Sequence, residues 1–83
     1  MFDKEERVQN LIVYLRVPKP ATLLTHKLSH VLGYQGASKM MASIRRLNHR
    51  YNFDVYIRSV KNPDKEDTAT KNLHTLIWKN YDK

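Results

Sequence analysis

The chain has 83 residues, of which 41% are hydrophobic, which suffices for one compact core, excludes intrinsic disorder and leaves no room for a second domain. It contains no cysteine, which excludes disulfides and thiolate metal sites and suits a reducing compartment. Fifteen Lys and Arg residues stand against eight Asp and Glu, a formal net charge of +7, which makes an acidic partner the first expectation.

In chain order, the first ten residues, MFDKEERVQN, are charged where a secretory leader needs an apolar run. No stretch approaches the roughly 20 apolar residues of a membrane span, so a cytoplasmic protein without a membrane partner is expected. A first helix is predicted from Lys4 to Arg16, because Val8, Leu11, Ile12 and Leu15 recur at the spacing of one helical face. Asp3 and Glu6 have the spacing of a capping box, and Pro18 and Pro20 stop the helix. A second helix is predicted from about Leu23 to Leu32, with Thr22 as its N-cap and Leu24, Leu28, Val31 and Leu32 as its apolar side. Gly33 follows where a helix ends in a left-handed residue, and Gly33-Tyr34-Gln35-Gly36 reads as a tight turn.

The third predicted helix runs from about Ala37 to Tyr51, with Met40, Ile44, Leu47 and Tyr51 on one face and Asn52 as its stop. Opposite that stripe lie Ser38, Lys39, Ala42, Arg45, Arg46, His49 and Arg50. FDVYIRSV, residues 53–60, has the composition of a strand, and Asn62-Pro63-Asp64 marks a turn. Residues 73–81, LHTLIWKNY, suit either a helix or a returning strand; the strand is favoured because residues 53–60 need a partner.

The positive charge is segregated. Between Arg16 and Lys61 nine bases face a single acid, Asp54, whereas the flanking segments together hold six bases and seven acids. A solvated basic surface is the ordinary explanation of such an excess, but its segregation into the middle of the chain favours a polyanion, and nucleic acid is the commonest. Two helices joined by a glycine-containing turn, the second basic outside, form a helix-turn-helix arrangement. The major groove admits an α-helix, and Ala37, Ser38 and Ala42 give a small surface that can approach base edges. Lys39, Arg45 and Arg46 have the reach for phosphates or the acceptor edge of guanine.

On residues 11–59, LIVYLRVPKPATLLTHKLSHVLGYQGASKMMASIRRLNHRYNFDVYIRS, the chain resembles the winged helix-turn-helix family. The pattern is that of the amino-terminal domain of the biotin ligase repressor and of DeoR-like bacterial regulators. Leu28, Leu32 and Gly33 match the family's second-helix leucines and turn glycine, and Ile44 and Leu47 match the buried residues of its recognition helix. The resemblance implies an α+β fold, a three-helix core followed by a β-hairpin wing, as a single domain over residues 1–83. It also implies that Ser38, Lys39, Met41, Ala42 and Arg45 face the groove, with Arg58, Lys61 and Lys65 on or near the wing. Two departures stand out: the turn is one residue longer than the usual form, and the wing loop carries Asp64, Glu66 and Asp67, which would repel phosphate.

The expected function is therefore sequence-specific binding of double-stranded DNA by a small, nucleoid-associated transcriptional regulator or mobile-element accessory factor. The expected interface is Ser38, Lys39, Met41, Ala42, Arg45, Arg46, His49, Arg50, Arg58 and Lys61, with Thr22, His26 and Lys27 meeting a phosphate at the start of the second helix. A homodimer through Leu76, Ile77, Trp78 and Tyr81 would read two half-sites. The alternative is a protein-binding winged helix, such as a phage antirepressor that engages a repressor; a third reading places RNA bases on Tyr56 and Trp78. His26 and His30 have a spacing that could share a metal, but no further ligand completes a set, so no metal or other cofactor is expected. Asp54 and Asp82 form no catalytic pair, and no nucleophile with a base or phosphate-cradling loop is present, so no enzymatic activity is expected.

Overall fold

Helix α1 spans Lys4–Arg16 and begins at a complete capping box: Glu6 N–H donates to Asp3 Oδ1 at 2.8 Å and Asp3 N–H to Glu6 Oε1 at 3.1 Å. The computed structural model describes residues 2–60 and 73–81, as three helices and a three-stranded antiparallel sheet. After α1 come β1 (Thr22–Leu23), α2 (His26–Leu32), α3 (Ala37–Tyr51), β2 (Val55–Val60) and β3 (Leu73–Trp78). Among the described residues no helix is long and apolar enough to cross a membrane.

The predicted bounds of the first and third helices agree with the observed ones, whereas the second helix starts later than its composition suggested. Thr22 and Leu23 are not its cap and first turn. They form β1 and pair with Leu76 and Thr75 of β3, and Leu24 N–H donates to His74 O at 2.8 Å. The cap is Thr25, whose Oγ1 accepts from Leu28 N–H at 3.1 Å. Two threonines three residues apart can each cap, and the free edge of β3 decides between them by recruiting the first. Val31, inside α2, is 65% exposed, so it is not part of the apolar side predicted for this helix.

Residues 73–78 form the strand that β2 needed, in the register Val55↔Trp78 through Val60↔Leu73, giving the sheet order β1-β3-β2. Alternation turns Val55, Ile57, Leu76 and Trp78 toward the helices. There they join one core with Leu11 and Leu15 of α1, Leu32 of α2, and Met40, Ile44 and Leu47 of α3. Tyr51, the last residue of the predicted stripe, is half exposed and lies beside Phe53.

Polar clamps fix the joints. Trp78 Nε1–H donates to Leu15 O at 3.0 Å, which ties β3 to the end of α1. Asn48 reaches from α3 to the start of β2, donating to Val55 O at 3.0 Å and accepting from Val55 N–H at 3.4 Å. Asn10 Nδ2 donates to Leu32 O at 3.2 Å, and Gly33 closes α2 at φ 96° with its N–H on His30 O. Ser29, fully buried, turns its hydroxyl onto His26 O, so a small side chain fills the point where α2 meets its neighbours.

Asn48→Ala should lower unfolding free energy by about 1–3 kcal/mol, because it strands both backbone groups of Val55; chemical denaturation followed by far-UV circular dichroism measures it. Gly33→Ala should cost about 1–2 kcal/mol through the left-handed backbone alone. A Cβ there would also meet the Phe2 side chain. Truncating Phe2 in the same background should therefore relieve only the steric part, and full recovery would refute the backbone explanation.

Candidate nucleic-acid interface

Helix α3 has fifteen residues and no carboxylate. Met40, Met41, Ser43, Ile44 and Leu47 are buried, while Ser38, Lys39, Ala42, Arg45, Arg46, His49 and Arg50 are exposed. At about 100° per residue those seven exposed positions occupy a continuous arc of about 140°. The polar face and the core face are thus separated as the periodicity predicted from Met40 to Leu47, with Tyr51 exposed beyond them and with one correction to what the resemblance implied. Met41, expected to face outward, is only 7% exposed and belongs to the core. The apolar arc is wide enough that position 41, one step from Met40, falls on its inner edge, and a flexible thioether fills the space there.

The cations of this face are held by neutral partners. Lys39 Nζ donates to Gln35 Oε1 at 3.1 Å, and Arg46 Nη2 donates to Ser43 Oγ at 3.3 Å. Arg50 lies over the ring of Tyr51, 5.5 Å from its centroid. Such contacts orient a cation without neutralising it.

The other predicted contact residues are dispersed. His26 and Lys27 are exposed on the first turn of α2, and His26 Nε2 lies 2.9 Å from His30 Nε2, one ring donating and the other accepting. Thr22 is not with them: it sits on β1, and its hydroxyl donates to Pro20 O at 2.8 Å. Arg58 is exposed on β2. Lys61 and the loop bases and acids Asp64, Lys65, Glu66, Asp67 and Lys71 lie outside the described residues. Among the described residues no group of three or more potential metal ligands is found.

Two basic residues behave differently from what composition alone suggested. Lys19 folds inward between the rings of Tyr14 (4.2 Å to the centroid) and Trp78 (4.9 Å), and donates to Tyr14 O and to Val17 O at 2.7 Å. Desolvation by burial lowers its pKa from the usual lysine value. It closes the end of α1, away from the exposed face of α3. Arg7, by contrast, belongs to α1 yet lies beside α3. Its guanidinium stands over the Tyr34 ring, 5.7 Å from the centroid, while Tyr34 Oη–H reaches back to Arg7 O at 3.5 Å. A contact across 27 positions leaves no mark in local sequence patterns.

The expected aromatic and dimer surfaces are largely used up internally. Leu76 is fully buried and Trp78 is 3% exposed, so neither is available to a second copy; Ile77 is partly buried and Tyr81 exposed. Tyr56 pairs with Ile77, and Trp78 with Val55, so Tyr56 and Trp78 lie on opposite faces of the sheet and make no common platform for bases.

Comparison with protein-family models, with curated proteins and with solved structures finds no match.

The placement of Met41 is checked by substitution. Met41→Ala should destabilise the fold by about 2–5 kcal/mol, as for other core methionines, whereas Ala42→Ser on the exposed face should stay within about 0.5 kcal/mol. Thermal denaturation of both variants provides the comparison, and equal tolerance at the two positions would place Met41 outside the core.

Proposed function

We propose that this protein is a winged helix-turn-helix domain that binds double-stranded DNA through α3. The observation that carries the reading is the exposed face of α3, which brings Lys39, Arg45, Arg46 and Arg50 together with no acid on the helix, on a scaffold fixed by Met40, Ile44 and Leu47. A rigid cationic helix with small residues, Ser38 and Ala42, near its start is a shape and charge that fit the major groove.

The chain order helix, short strand, helix, helix, antiparallel strand pair and the strand order β1-β3-β2 support the winged form. Gly36, the N-cap of α3, makes no side-chain capping bond, so the first-turn amides remain open to an anion at the positive end of the helix. A repressor protein is the alternative partner for the same surface, but a protein that must displace DNA from a basic repressor face would present acids, and α3 has none.

Fluorescence anisotropy with labelled random-sequence duplex at low salt tests the proposal. Wild-type protein should bind, with affinity falling steeply as salt rises by about 0.9 in logarithmic slope per phosphate contacted. Arg45→Ala with Arg46→Ala should weaken binding roughly a hundredfold, about tenfold per lost contact, while leaving the melting temperature nearly unchanged. Absence of duplex binding at low salt, or binding indifferent to both substitutions, would refute the proposal.

A further inference from the structure

The first turns of α1, the α2–α3 turn and the outer side of α3 enclose a cleft of about 310 Å³, lined by Arg7, Tyr34, Gln35, Lys39, Ser43 and Arg46 among others. Three cations from two distant parts of the chain meet there, and none of the lining residues is acidic. Each cation is steadied by a neutral group: Arg7 by the Tyr34 ring, Lys39 by Gln35 Oε1 and Arg46 by Ser43 Oγ. Of the acids nearest in sequence to Arg7, Asp3 and Glu6 bond each other's backbone in the cap of α1, and Glu5 is not among the residues that line the cleft. Like charges gathered without a counter-charge repel one another, and a bound anion relieves the repulsion.

We infer that this cleft seats a phosphate of the duplex backbone and that Arg7 is its third cationic ligand, so that α1 contributes directly to the interface. The inference rests on the DNA-binding reading of α3 and deepens it. The guanidinium groups of Arg7 and Arg46 offer paired N–H donors to non-bridging phosphate oxygens, and the Lys39 ammonium adds a third donor. Because Tyr34 is itself buried, it holds Arg7 at the cleft with little freedom to lose on binding. A free phosphorylated molecule would satisfy the same chemistry. The duplex is favoured because the cleft opens along the exposed face of α3, where Lys39, Ala42 and Arg46 belong to both surfaces.

The experiment compares Arg7→Gln, Arg7→Lys and Lys39→Gln with wild-type protein in duplex titrations from low to moderate salt, each variant first checked by circular dichroism. Arg7→Gln should weaken binding roughly tenfold, the worth of one charge-assisted contact, and reduce the logarithmic salt slope by about 1. Arg7→Lys should restore the slope, which a purely structural role over Tyr34 would not do. Lys39→Gln should lower the slope equally, as both readings require, and Arg7→Met, which keeps an unbranched stem over Tyr34 without the charge, serves if Arg7→Gln does not fold. In a second arm, inorganic pyrophosphate is titrated against isotope-labelled protein and the side-chain resonances of Arg7 and Arg46 are followed. A normal slope in Arg7→Gln, with binding still weakened in Lys39→Gln and in the Arg45/Arg46 double variant, would overturn this inference and leave the α3 reading intact. Failure of wild-type protein to bind duplex would overturn both. Tight pyrophosphate binding abolished by Arg7→Gln, beside unchanged duplex affinity, would assign the cleft to a small phosphorylated molecule and overturn the backbone assignment.

Discussion

The arrangement depends on the one-sided burial of α3. Met40, Ile44 and Leu47 lie in a single cluster with Leu11 and Leu15 of α1 and Leu76 of β3, and Met40, Leu11 and Leu76 are fully inaccessible. A helix rotated by even one residue would move a methionine out and an arginine in, at a cost that burial of an unpaired charge makes prohibitive. The packing thus fixes the azimuth of the helix, and with it the direction of every cation on the opposite side. The clamp from Asn48 to Val55 and the left-handed Asn52 and Asp54 fix where the helix stops and the sheet begins.

The electrostatics follow from that geometry. In a segment with nine bases and one acid, Lys39, Arg45, Arg46 and Arg50 share the exposed face of α3, while Lys19 is drawn against two rings and two carbonyl oxygens at the end of α1. Net charge alone would have counted the two kinds equally. What matters for a polyanion is the number of cations held on one surface by partners that do not neutralise them, and Gln35, Ser43 and the ring of Tyr51 are such partners.

Most of the fold was legible in the sequence because the helices are governed by local rules. The capping box at Asp3 and Glu6, the prolines after Arg16, Gly33 after Leu32 and the periodicity of α3 each act within a few residues, and each sits where it was expected. The errors fall where a distant partner decides. Thr22 and Leu23 have helical neighbours and a cap at the right spacing, but β3, some fifty positions away, claims their backbone. The 73–81 segment was ambiguous on composition and was settled by the pairing need of β2. The candidate site followed the same division: the exposed face of α3 could be read from spacing alone, whereas Met41 depended on how wide the core contact is. Arg7 depended on a ring 27 residues away, and the burial of Trp78 on a carbonyl of α1.

The exposed arc of α3 is not chemically uniform, and that bears on how a duplex would be read under the proposed function. Lys39, Arg46 and Arg50 lie toward the margin that includes the Arg7 cleft, whereas Arg45 and Ser38 lie toward the other, about 120° and about 100° from Lys39 around the helix axis. Phosphate contacts set position and supply salt-dependent affinity but carry no sequence information; base edges do. A cleft with three cations is suited to the first task, since a phosphate is the same at every step of the backbone. Arg45, flanked by the small side chains of Ser38 and Ala42 and by His49, is the cation whose neighbours leave room for a base pair, and a guanidinium there matches the paired acceptors of guanine. The two halves of one helix face would then divide the work, with Arg46 and Arg7 anchoring the chain on one strand while Arg45 discriminates among the bases.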